Sequence, residues 1–198
     1  MNVVQAGEAS AQAHEAPAAP AGAVEVVDFW RDAGPAQWFG GGQAFDADFS
    51  ARFGSGHHAA ARGDFESWLQ TPDGALALQI LLDQFPRNCF RDSAHSYATD
   101  GLGRHYAHRT VDAGLDRQIE ASMRVFVYLP FEHSESLSDQ NRAVTLIETL
   151  GDAQFTRFAE LHRDIIQRFG RFPHRNRALG RESTQDELEY LAGGGFTG

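Results

Sequence analysis

Apolar residues along this chain recur at three- and four-residue spacing, and period-two alternation is absent. The longest such pattern covers 155–169. At about 100° per residue, Phe155, Phe158, Ala159, His162, Ile165, Ile166 and Phe169 share one stripe. Arg157, Glu160, Asp164 and Arg168 fall opposite, so the spacing predicts an amphipathic helix with His162 in its apolar face. Gly170 suits a left-handed stop, and Pro173 forbids continuation.

The same reading predicts helices along the rest of the chain. Val26, Val27, Phe29 and Trp30 give a short one over 24–32, ended by Gly34-Pro35. Phe45, Phe49 and Phe53 form an aromatic ridge on a helix that Gly54-Ser55-Gly56 is expected to break. Phe65, Trp68 and Leu69 mark another. Thr71-Pro72-Asp73 reads as N-cap, first-turn proline and first-turn acid, opening a helix apolar almost all round from Ala75 to Leu82. That helix should be central and buried, with Pro86 forcing the exit. Asp92-Ser93 caps a helix to about residue 113. Leu115, Ile119, Met123 and Phe126 give the next, ended by Pro130. Ser138-Asp139 opens one with Ala143, Val144 and Ile147 inward, Asp152 opens the long helix, and Ser183 or Thr184 caps a last one.

These elements predict an all-α fold of antiparallel helix pairs packed in sequence, without a strict repeat period. Residues 1–23 read as a disordered Ala/Pro-rich tail, 24–192 as one helical domain, and 193–198 as a flexible tail after Gly193-Gly194-Gly195.

Composition narrows the classes. The chain has 198 residues, 42% of them hydrophobic, with 15 phenylalanines, which is enough for one sizeable core. No apolar run approaches membrane-spanning length, and the first thirty residues lack a basic residue and a signal core. Cys89 is the single cysteine, which excludes an internal disulfide and a cysteine zinc site and suits a reducing compartment; a cytoplasmic location is expected. A formal charge of −10 argues against nucleic-acid binding. All 17 basic residues are arginine, so Schiff-base lysine chemistry and a phosphate-loop lysine are excluded. Arginines at 157, 163, 168, 171, 175, 177 and 181 face only Glu160 and Asp164 in the same stretch, a local cationic surplus able to attract carboxylates or phosphates.

Three segments hold polar groups beyond what a connector needs. Gln84-Phe85-Pro86-Arg87-Asn88 and Arg171-Phe172-Pro173-His174-Arg175-Asn176 share Phe-Pro followed by Arg-Asn, each at the end of an apolar helix. Such an echo reads either as a repeated capping device or as two walls of one site. Glu132-His133-Ser134-Glu135 crowds an aperiodic turn, where His133 with Glu132 or Glu135 would form an acid–base pair. The candidate ligand-binding set is Gln84, Arg87, Asn88, His133, His162, Arg171, His174, Arg175 and Asn176, with His133 and His162 the acid–base candidates. Cys89 and Ser134 are the nearest, weak nucleophiles. No ligand spacing supports a metal, Gly40-Gly41-Gly42 lacks dinucleotide-loop spacing, and no cofactor is expected.

Leu82-Asp83-Gln84-Phe85-Pro86-Arg87-Asn88, Leu129-Pro130-Phe131-Glu132-His133-Ser134-Glu135 and Arg168 through Asn176 with Leu179-Gly180-Arg181-Glu182-Ser183-Thr184 resemble the bacterial family called domain of unknown function 924, over about residues 24–192. The resemblance implies an all-helical fold similar to tetratricopeptide-repeat proteins and brings no activity or catalytic residues. Glu132 departs from the pattern, where a more apolar or amide residue is expected. Three functional readings follow: a binding protein for a small anion or a carboxylate-bearing peptide end, an enzyme of hydrolytic or transfer type using His133 and His162, or a scaffold for a protein partner.

Overall fold

The computed structural model describes residues 18–198. The expected tail therefore lies mostly outside the described residues, and helix α1 (Ala21–Ala33) already includes its last three positions. There follow α2 (Pro35–Trp38), α3 (Gly42–Ala61), α4 (Pro72–Gln79), α5 (Phe85–Cys89) and α6 (Asp100–Asp112). Then come α7 (Val125–Glu132), α8 (Leu137–Glu148), α9 (Ala153–Phe169) and α10 (Gln185–Ala192), and no strand occurs among the described residues. The fold is all-α.

Helix α4 is the hub. Its residues from Gly74 to Gln79 are all buried, and it packs on α1, α6 and α7. Thr71 caps it, accepting from the Gly74 amide at 3.1 Å. In the C-terminal half, neighbours in sequence are neighbours in space, since α7 packs on α6 and α8 while α8 packs on α9. These contacts establish an all-α fold; they do not by themselves define a tetratricopeptide-type repeat. Phe49 is fully buried among Phe29, Trp30, Phe45, Phe53 and Phe85, so the aromatic ridge is core.

Several predicted breaks are absent. Helix α3 runs through Gly54-Ser55-Gly56, because glycine lowers helix propensity by only about 1 kcal/mol and tertiary packing offsets it. Pro86 does not force an exit: a π-helical turn, Ile80–Gln84, joins α4 to α5 and lets the helical path run on to Cys89. Pro130 lies inside α7 instead of ending a helix. The helix expected from Asp92-Ser93 is a short 3₁₀ turn, Ala94–Tyr97, followed by α6.

Helix α9 has the predicted ends, with the Asp152 carboxylate accepting from the Gln154 and Phe155 amides and Gly170 at φ 69°. Ala159, His162, Ile165 and Ile166 face inward, but Phe158 is exposed. Ile165, Ile166 and Phe172 form a small second cluster with Phe169, Tyr190 and Phe196.

Candidate functional site

The π turn sets the site. It rotates Asp83 inward, where the carboxylate is almost fully buried and accepts from Nδ1 of His133 at 2.8 Å. One helical turn on, Arg87 lies 3.0 Å from Asp83 and makes a fork to Asp100 at 2.8 and 3.0 Å. Burial favours a protonated Asp83, but Arg87 and His133 outweigh it and hold the carboxyl down at about 2. An ionised carboxylate only accepts, so the proton on His133 sits at Nδ1. Burial and the Arg87 charge lower the His133 pKa, leaving the ring neutral with a bare Nε2.

From the opposite side the Phe172-Pro173 turn delivers His174 and Arg175. Arg175 is 5% exposed. Its guanidinium is sandwiched between the rings of Tyr97 and Phe172, at 4.7 and 4.3 Å. It touches Asp100 at 3.5 Å but makes no hydrogen bond among the described residues, and its Nε is sealed without a partner. Burial, with Arg87 nearby, lowers its pKa to about 10, so it stays cationic at neutral pH. His162 donates from Nδ1 to the Phe158 carbonyl at 2.7 Å. Burial pushes His162 down to about 3 and His174 to about 4. Both rings are therefore neutral.

Arg87, His133, His162, His174 and Arg175 line one cavity of about 550 Å³. Tyr97, Arg91, Arg177 and Phe196 share its wall, with Asp92 at its acidic edge. Arg91 is engaged with Asp46, whereas the Arg177 guanidinium has no partner among the described residues. The Phe196 ring stands edge-on to His162 at 4.5 Å and to His174 at 5.2 Å.

Four candidates do not reach this cavity. Gln84 donates to Asp83 at 2.6 Å and is buried beside it. Asn88 accepts from Arg91. Arg171 forks onto Glu187 at 2.6 and 2.7 Å, and Asn176 bonds Ser183 and the same Glu187. Arg171 and Asn176 thus fix α10, because the turn that points Arg175 inward turns its neighbours onto that helix. The pairing of His133 with Glu132 or Glu135 is also corrected. Glu135 binds Arg181 and the Phe172 amide, and Glu132 approaches His162. Ser134 donates to Asp139 at 2.8 Å and accepts from the Ser136 amide, a structural role. The Cys89 thiol is pushed up to about 11, chiefly by burial and Asp46, which removes it as a thiolate nucleophile.

No group of three or more His, Cys, Asp or Glu side chains suited to a metal occurs among the described residues. None of the described helices is long and apolar enough to cross a membrane.

A family model described as a bacterial protein of unknown function, DUF924, matches residues 26–195. This chain belongs to the DUF924 family. A solved structure of a protein of unknown function from Agrobacterium tumefaciens is similar to it, with 50% identity, a TM-score of 0.83, and coverage of 85% of this chain and 96% of that one. No curated protein matches the chain. In this DUF924 chain the two Phe-Pro segments supply facing walls, and Asp100 joins them by holding Arg87 and touching Arg175. Asp83, Tyr97, Asp100, Arg177 and Phe196 are not among the candidate site residues read from the sequence. Asp83 left a signal as the acid four residues before Arg87, and Arg177 as one of the seven arginines of the local surplus.

Proposed function

We propose that this protein binds a small anion in the cavity between the two Phe-Pro segments, with Arg175 as its principal clamp. The observation that carries this reading is Arg175 itself. A buried guanidinium with no hydrogen bond among the described residues, and only a 3.5 Å approach to Asp100, is costly unless something else uses its terminal N–H donors. Arg177 adds a second open cation on the same wall, and Arg87 is held in place by two carboxylates. A cavity of about 550 Å³ suits a small molecule.

The test is thermal unfolding with inorganic phosphate, comparing wild type with Arg175→Met. Wild type should gain stability as phosphate rises, by about 2.7 kcal/mol at a hundredfold excess over Kd. Arg175→Met should keep or raise the stability of the ligand-free protein, because Asp100 retains Arg87, while losing the phosphate response. A wild type indifferent to phosphate and to carboxylates, with a destabilised variant, would defeat the reading.

The Asp83–His133 pair favours a second reading, acid–base turnover of the bound anion. Nε2 of His133 would take a proton from a water or hydroxyl, and Asp83 would offset the imidazolium charge. It predicts that His133→Gln binds phosphate normally but lowers turnover on a phosphoester panel by about a hundredfold or more. Turnover that survives the substitution removes this reading.

A further inference from the structure

The tautomers of two cavity histidines restrict what the anion can be. Nδ1 of His162 faces a carbonyl, and Nδ1 of His133 faces an ionised carboxylate; neither partner can donate, so both Nδ1 atoms carry the proton. Each ring therefore presents Nε2 as a bare acceptor. Neither Nε2 has a partner among the described residues, and neither is sealed from the cavity. The cavity thus combines strong donors for an anion, from Arg175 and Arg177, with two acceptors on the adjoining wall, whose ring centroids are 6.4 Å apart. An anion that only accepts, such as sulfate, would leave both acceptors facing its lone pairs. A ligand carrying hydroxyls beside its anionic group satisfies both sides, since an acceptor left without its donor loses its hydrogen-bond energy on desolvation.

We infer that the occupant of this site is a hydroxyl-bearing phosphate monoester, its phosphate on Arg175 and Arg177 and its hydroxyls donating to Nε2 of His133 and His162. This rests on the anion-binding reading above and narrows it. Phosphate is preferred to carboxylate as the head because two guanidiniums without a hydrogen bond among the described residues share the wall and match a dianion better than a single charge. Phe196 packs against His162 and closes that wall.

Calorimetric titration of the full chain with glycerol 3-phosphate and with n-propyl phosphate tests it, because the two ligands differ only in two hydroxyls. Glycerol 3-phosphate should bind at least fivefold more tightly, about one neutral hydrogen bond. His162→Phe should reduce the difference, leaving only the His133 share, while still binding n-propyl phosphate, and His133→Phe is the alternative variant if the first fails to fold. Glycerate should bind more weakly than glycerol 3-phosphate. Equal affinities for glycerol 3-phosphate and n-propyl phosphate in wild type would overturn the hydroxyl inference and leave the anion site standing. Tighter glycerate would overturn the phosphate assignment alone. Failure of all these ligands and of inorganic phosphate would overturn both the inference and the reading it rests on.

Discussion

Glu132 and His162 meet at 3.3 Å, with Glu132 placed by the last turn of α7 and His162 by the inner face of α9. The distance alone suggests an ion pair, yet burial drives both groups toward their neutral forms. Glu132 is pushed up to about 8 by burial and by the neighbouring Asp83 charge, and His162 down to about 3 chiefly by burial. The contact is therefore between an uncharged acid and an uncharged imidazole. This has a consequence for stability. A carboxyl whose folded pKa is raised binds more protons folded than unfolded between about pH 4.5 and 8. Its contribution is fully present below 4.5 and is lost as pH rises through 8. Glu132→Gln keeps the shape and the acceptor facing His162 but cannot ionise. It should match wild type at pH 5 and exceed it by on the order of 3 kcal/mol at pH 9 in urea unfolding. Parallel stability profiles for the two proteins across that range would contradict a protonated Glu132.

At the scale of elements, α10 illustrates how a short helix is held. Its eight residues, Gln185–Ala192, are too few to be stable alone. Thr184 and Glu187 form a reciprocal capping box, and Glu187 also takes the Arg171 fork and an Asn176 amide. These bonds keep its pKa near 2, led by the Arg171 hydrogen bond. Glu187 is thus the joint between α10 and the turn that presents His174 and Arg175. Glu187→Ala should lower Tm and sharply speed amide exchange over residues 185–196, while α4 and α7 keep wild-type protection. It should also weaken phosphate binding, since Tyr190 and Phe196 pack beside the second cluster at the cavity wall. Unchanged exchange in 185–196 would show that α10 is held by its apolar face instead. The π turn is the other decisive element. By letting the helical path continue past Pro86, it sets Asp83 and Arg87 one turn apart on the site, where a clean stop at Leu82 would have separated them.

Across the whole molecule, the cavity lies where the main core meets the small cluster around Phe172. Three of the seven arginines in the surplus near the C-terminus are consumed in building that seam. Arg171 holds α10, Arg181 holds Glu135 and the Phe172 carbonyl, and Arg168 lies over Phe169 and Tyr190. Of the arginines in that stretch, Arg175 and Arg177 line the cavity, Arg177 without a partner among the described residues and Arg175 with Asp100 at 3.5 Å, a distinction that counting charges along the chain cannot make.

The sequence by itself determined the all-helical class, the burial of Ala75–Leu82, the caps at Thr71 and Asp152, a last cap at Ser183 or Thr184, and the glycine stop at 170. Each depends on residues within a few positions of one another, so local periodicity and hydrogen bonding decide it. It also brought forward Arg87, His133, His174 and Arg175 as polar groups at helix ends and His162 as a histidine in an apolar helix face. The tertiary structure alone decided that these five share a cavity while Gln84, Asn88, Arg171 and Asn176 are spent on local bonds. It likewise chose Asp83, fifty residues away, as the partner of His133 in place of its neighbours Glu132 and Glu135. The physical reason is direction: a side chain's neighbours along the chain fix its spacing, but where it points depends on one turn of π helix and on packing between segments far apart in sequence.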